Sequence, residues 1–191
     1  MRRLHATLLA VAFGAALAPA AVAYEIDPLT REPIIPYQDT RAKATPIPRE
    51  EVDYSSKYAP GTIIVSTVER RMYYILGNGR AVRYGVGVGR PGFEWGGQKT
   101  ITRKAEWPGW TPPPQMLKRR PDLPRHMVGG PENPLGARAM YLGSSLYRIH
   151  GSNEPETIGQ AVSSGCIRML NDDVIDLYSR VKVGTKVVVL R

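Results

Sequence analysis

Cysteine occurs once in the 191 residues, at Cys166, and histidine only three times, at His5, His126 and His150. One cysteine excludes an internal disulfide framework. So few nitrogen and sulfur donors argue against zinc, which takes three or four protein ligands. No Gly-rich phosphate loop or cofactor motif occurs, so neither a metal nor a cofactor is expected. Phenylalanine appears twice and aromatics make up 8 % of the chain. No apolar run reaches the roughly 20 residues that span a bilayer. These absences leave a single thiol as the most reactive group in the sequence, either buried and inert or kept for its reactivity.

The first 23 residues, MRRLHATLLAVAFGAALAPAAVA, read as a signal peptide. Arg2 and Arg3 form a basic start, an apolar stretch follows from about Leu8 to Leu17, and Ala21-Val22-Ala23 fits small-x-small cleavage before Tyr24. A retained anchor is the competing reading, but the apolar stretch is too short to span. The expected destination is a bacterial periplasm, with no stable membrane insertion after cleavage. Cleavage would take Arg2 and Arg3 but no acid, lowering the formal charge from +9 to +7. That balance suits an anionic partner such as nucleic acid, a membrane surface or a carboxylate-rich polymer, or it serves solubility alone. Export argues against nucleic acid.

Residues 24–60 hold DPLTREPIIPYQDTRAKATPIPRE, dense in proline and without apolar periodicity, and read as an extended arm or linker. From Gly61 the texture changes. GTIIVSTVERRMYYILGNGRAVRYGVGVG offers β-branched and aromatic runs about a Gly-Asn-Gly turn, a three-strand meander. QKTITRKAEW (98–107), RAMYLG, LYRIHG and TKVVVL read as further strands. Residues 108–136 are too rich in proline and glycine for regular structure beyond a helical turn near Gln115–Arg119. A loop that long in a compact domain suggests a lid or groove wall. NDDVIDLYSRV (171–181) places apolar residues at helical spacing behind Asn171 as N-cap, with Asp172 and Asp173 in the first turn.

Cys166 lies in Ser163-Ser164-Gly165-Cys166-Ile167-Arg168, and His150 ends a strand sixteen positions earlier. A histidine that takes the thiol proton is the minimum for a cysteine nucleophile. The ring needs a third group to hold it, for which the Gly151 carbonyl is the candidate. A buried cysteine beside a satisfied histidine explains the same residue types. His126 lies in the long loop and completes no ligand set.

His150-Gly151, the sixteen-position spacing and the Ser-Ser-Gly-Cys-Ile-Arg run together resemble the signature of the L,D-transpeptidase catalytic domain (YkuD-type) family. Ser164 stands where that signature commonly has histidine. RRMYYILGNG, YGVGVGR, NPLGARAMYLG and YRIHG are similar to the family as well. The resemblance implies a mostly β fold, β-sandwich-like with mixed sheets and one or two short helices, over residues 61–191. It implies Cys166 as nucleophile and His150 as general acid and base on peptidoglycan stem peptides containing diaminopimelate. The thioester formed would pass to a second stem peptide in a 3–3 cross-link. Gly165 and Cys166 would offer backbone N–H groups to the oxyanion. Arg168 would hold a substrate carboxylate, unless it pairs with Asp172 or Asp173 instead. Ser164, Tyr141, Trp107 and Trp110 are candidate groove residues. Water or an envelope protein, such as an outer-membrane protein, are alternative acceptors, and a non-catalytic peptidoglycan-binding module is the alternative of another class.

Overall fold

A computed structural model describes residues 47–191 in full, together with the backbone of 25–26 and 33–34. The expected signal peptide and most of the expected arm lie outside the described residues. Strands β1 (Glu25–Ile26) and β2 (Pro33–Ile34) form an antiparallel pair in a unit of their own. In the larger unit, β3 (Glu50–Asp53) precedes the meander β4 (Ile63–Ser66), β5 (Arg71–Gly77) and β6 (Arg80–Gly85). Next come β7 (Val88–Gly89), β8 (Gly97–Glu106) and helix α1 (Pro114–Arg119). Then follow β9 (Arg138–Leu142), β10 (Arg148–His150), a 3-10 turn at Pro155–Thr157 and β11 (Ala161–Ser163). The chain ends with β12 (Ile167–Arg168), helix α2 (Asn171–Arg180) and β13 (Lys186–Leu190).

Nine strands make one mixed sheet in the order β12-β10-β9-β8-β13-β4-β5-β6-β3, and β11 pairs with β7 beside it. The fold is mostly β, with two helices. The β5–β6 hairpin closes on Asn78 and Gly79, both at positive φ (52° and 72°), the geometry a tight two-residue turn demands. Val187, Val188 and Val189 of β13 are all buried, because this strand lies inside the sheet, parallel to β4 and antiparallel to β8. A strand covered on both faces has no use for a polar alternation.

Ile63, Val65, Met72, Tyr84, Met140 and Leu142 fill the core, and Val174 and Leu177 of α2 are buried among them. Truncating such a residue to alanine costs about 2–5 kcal/mol. The Tyr84 hydroxyl donates to Asp176 Oδ2 at 2.6 Å, so α2 is tied to β6 as well as packed. At its far end Lys104 Nζ donates to the carbonyls of Tyr178 (2.7 Å) and Val181 (2.6 Å). That supplies donors to carbonyls a helix end leaves open.

The sheet also takes in residues ahead of 61: β3 pairs along β6, with Glu50 bound to Arg83 and Arg80 bound to Asp53 and Glu51. Ile47 is buried ahead of it. Proline density stops at Pro48, and the following Glu-Glu-Val-Asp has the acids to meet two arginines across an edge. Asn171 is not the N-cap; Leu170 holds that place with no side-chain cap. Asn171 is the first helical residue, and its buried side chain is used elsewhere.

Candidate active site

The YGVGVGR segment builds the floor under the thiol loop by simple alternation. Val86 and Val88 point into the core. The glycines between them leave room for the chain on the other side. A side chain at Gly87 would meet the Thr157 carbonyl at 2.8 Å, and one at Gly89 the Phe93 carbonyl at 2.5 Å. The 155–165 segment can therefore lie directly on this backbone, with Val88 N–H donating to the Gln160 carbonyl and Arg90 N–H to that of Ser163.

The loop around Cys166 is tied at every residue. Ser163 Oγ donates to the Cys166 carbonyl (2.6 Å) and accepts from Gly165 N–H (3.1 Å). Trp95 Nε1 donates to the Gly165 carbonyl at 2.7 Å, and the Trp95 ring stacks on Tyr147 with centroids 4.7 Å apart. Gly165 has φ +101°, and any side chain there would strike Tyr147 Cε1 at 2.6 Å. Arg90 reaches Ser164 Oγ at 3.2 Å and lies over the Phe93 ring. Because Gly165 gives its N–H to Ser163, it is not the oxyanion donor expected of it. The Cys166 N–H makes no backbone hydrogen bond among the described residues.

His150 arrives from the neighbouring strand. β10 and β12 run parallel, with Ile149 beside Ile167 and His150 beside Arg168. Alternation along β10 buries Ile149 in the core and sends Arg148 and His150 to the cleft. His150 is 4 % exposed, and its Nδ1 lies 2.5 Å from the Gly151 carbonyl. A carbonyl can only accept, so Nδ1 carries the proton and Nε2 keeps the lone pair. Burial first, then repulsion from Arg168 and Arg148, pushes the imidazolium pKa down to about 3, against a small opposing effect of the Gly151 carbonyl. Burial likewise raises the Cys166 thiol, opposed by the charges of Arg148 and Arg168 and by the Arg148 backbone N–H. Both groups therefore rest neutral, and the thiol donates to the Leu146 carbonyl at 3.7 Å.

Asn171 fixes the backbone behind this histidine. Its Oδ1 accepts from Ala137 N–H (2.9 Å) and its Nδ2 donates to the Ser152 carbonyl (3.1 Å). Gly151 and Gly136 are pressed against the same amide, for a Cβ on either would fall within 2.3 Å of Oδ1. The carbonyl that orients His150 is thus held in place by a side chain from the start of α2.

The cleft over Cys166 has a volume of about 510 Å³. The 108–136 loop forms one wall through Trp110, Pro113, Met116, Arg119 and Leu135, with Leu146 and Phe93 opposite. Cys166, His150, Ser164 and Arg168 line it; Tyr141 and Trp107 do not. Tyr141 instead carries Arg103 on its ring at 3.6 Å and has Arg148 at 5.5 Å. The loop wall is held by reciprocal hydrogen bonds between Trp110 and Met127 (2.8 Å each) and by Asn133 Nδ2 on the Val128 carbonyl (2.8 Å). Arg168 pairs with Glu154 (2.7 Å) and Thr157, not with Asp172 or Asp173. Asp173 faces Arg49 at 3.6 Å. Arg148 and Phe93 carry no signal in the sequence that singles them out, and Asn171 stands out there only as a helix cap.

The model of the L,D-transpeptidase catalytic domain matches residues 60–189. The chain belongs to that family. A probable L,D-transpeptidase of Escherichia coli K12, ErfK/SrfK, is 41 % identical over 137 residues, covering 67 % of this chain and 43 % of the relative. The chain thus spans less than half the length of the first curated relatives it matches. Among solved structures, a Brucella melitensis protein described as a probable carnitine operon oxidoreductase is 44 % identical. It covers 76 % of this chain and 95 % of its own, with TM-score 0.52. L,D-transpeptidase 3 from Mycobacterium tuberculosis, in complex with a faropenem-derived adduct, shares the fold. It has TM-score 0.54 at 17 % identity, covering 68 % of this chain and 60 % of that one. Among the described residues no helix is long and apolar enough to cross a membrane.

Proposed function

We propose that this L,D-transpeptidase family domain transfers an acyl group between peptidoglycan stem peptides in the periplasm, through a thioester on Cys166. The observation that supports the reading is a single cleft lined both by a half-buried thiol and by a buried imidazole oriented by the Gly151 carbonyl. Binding alone requires neither group.

The donor is a tetrapeptide stem whose diaminopimelate carbonyl is bonded to a terminal D-alanine. His150 Nε2 takes the Cys166 proton as sulfur attacks that carbonyl, since neither group ionises beforehand near neutral pH. The negative charge moves to the carbonyl oxygen, where the Cys166 N–H is the available backbone donor. As the intermediate collapses the C–N bond breaks, the imidazolium gives its proton to the departing amine, and D-alanine leaves. The thioester remains. A diaminopimelate side-chain amine of a second stem then attacks it and gives a proton to His150. The C–S bond breaks, the proton returns to sulfur, and a 3–3 amide cross-link is released. Ser164 and Arg90 shape the loop beside the thiol, and the 108–136 loop walls one side of the cleft. Water as acceptor would make the same chemistry a carboxypeptidase, and a protein amine would attach an envelope protein.

Purified protein incubated with a disaccharide-tetrapeptide tests the reading by mass spectrometry of the products. A cross-linked dimer that has lost one D-alanine is expected. Tripeptide alone would reassign the acceptor to water, and unchanged substrate would refute the proposal.

A further inference from the structure

Arg119, Arg148 and Arg168 line the cleft, and among the described residues no acid does. Glu154, the acid that reaches it, is bound by Arg168. Arg148 has neither an ion pair nor a side-chain hydrogen bond among the described residues, and its Nε is shut off from solvent without a partner. A guanidinium in a cleft wall with no counter-charge loses hydration without compensation. The position is nevertheless well defined. Arg103, Tyr141 and Arg148 are direct cross-strand neighbours on β8, β9 and β10. The Tyr141 ring therefore stands between two guanidinium groups and braces the one that lines the cleft. Arg148 shares the cleft with the nucleophile, since both line it.

We infer that Arg148 is the subsite for the free carboxylate of the residue that leaves, so that the enzyme selects donors ending one residue beyond the attacked carbonyl. This rests on the acyl-transfer reading above. Arg148 lines the same cleft as Cys166, and consecutive residues are only about 3.8 Å apart, so the anion next to the scissile bond is the one to place there. On the donor, the terminal residue bears its carboxylate on the carbon next to the amide nitrogen that departs. A planar guanidinium fork matches a carboxylate with two parallel hydrogen bonds, which a carboxamide cannot reciprocate. Arg168, already committed to Glu154 and Thr157, is the poorer candidate for this duty. Tyr141 and Arg103 act on Arg148 as positioning residues.

The test compares two donors on each enzyme: a stem tetrapeptide with a free terminal carboxylate and the same peptide as its terminal carboxamide. Loss of a charge-assisted hydrogen bond of this kind corresponds to about 10- to 100-fold in kcat/KM. The wild type is expected to favour the carboxylate by that factor, Arg148→Gln to bring the ratio close to one, and Arg148→Lys to fall between. Because Arg148 also acts on the thiol, only the ratio within each enzyme is read; a change in thiol reactivity affects both donors alike and cancels. Equal use of both donors by the wild type, or a wild-type ratio in a folded Arg148→Gln, overturns the subsite and leaves the acyl-transfer reading standing. A wild type that turns over neither donor overturns both. Should Arg148→Gln fail to fold, the ratio in Arg148→Lys decides: an unchanged preference refutes the fork.

Discussion

Acid should destabilise this protein through one identifiable group. His150 has an ordinary unfolded pKa of 6.5 and a folded value of about 3, set mainly by burial and secondarily by Arg168 and Arg148. Between those values the unfolded chain binds a proton that the native state refuses, so stability falls as pH falls. The slope from this residue is about 1.4 kcal/mol for each pH unit, absent above about 6.5 and levelling off near 3. Over the whole window the loss is a few kcal/mol, a large share of the 5–15 kcal/mol that holds a typical domain. His150→Asn is the control, because its amide can still donate to the Gly151 carbonyl but has nothing to titrate. Urea unfolding of both proteins between pH 7 and 4 gives the comparison, since carboxylate contributions common to both drop out of the difference. The wild type should lose stability relative to His150→Asn steadily below about pH 6.5. Parallel curves would show that the folded imidazole titrates normally, and the neutral resting pair would have to be abandoned. The same depressed value predicts that acylation persists to about pH 4, where an ordinary histidine would be almost wholly protonated.

Other perturbations follow from the packing. Gly165→Ala puts a methyl against the Tyr147 ring at a positive φ, which should cost about 1–3 kcal/mol and lower Tm together with the rate of thiol acylation. Asn171→Ala leaves the Ala137 N–H and the Ser152 carbonyl unpaired in the interior. A loss of about 2–5 kcal/mol in urea unfolding is expected, with a fall in kcat larger than the change in KM as the His150 support loosens. Truncation of the chain through Asp53 removes Ile47 and the edge strand on β6 and should destabilise or abolish folding. An unchanged Tm would mean that β3 is dispensable, as proline density had suggested.

The elements with strong local signals were legible before the structure. The meander with its Asn-Gly turn, the long strand at 97–106, α2 and β13 all lie where periodicity put them. So did the helical turn at 114–119, and the long loop does wall the cleft. Less legible were strands whose reason is tertiary. β7, β11 and β12 have two or three residues each and exist because glycines at 87 and 89 let one backbone lie on another. Asn171 looked like a cap because asparagine ahead of an amphipathic run usually is one; its amide is instead drawn inward by Ala137 and Ser152, far away in sequence. Cys166 and His150 stand out by type, spacing and the family resemblance, and both line the cleft. Arg148 could not be separated from the other arginines, because its significance lies in which acids are already engaged nearby. The aromaticity of Tyr141 suggests a groove residue, whereas its register sets it between Arg103 and Arg148 and outside the cleft lining.

The central claim is that Cys166 is a nucleophile activated in place by His150, and intact-mass measurement after exposure to a carbapenem tests it most directly. The account predicts one added drug mass on the wild type and none on Cys166→Ala, the chain having no other thiol. His150→Asn should acquire the adduct about 100-fold or more slowly for want of a base. A folded wild type that stays unmodified after long exposure, or a Cys166→Ala protein that gains the same mass, would contradict it.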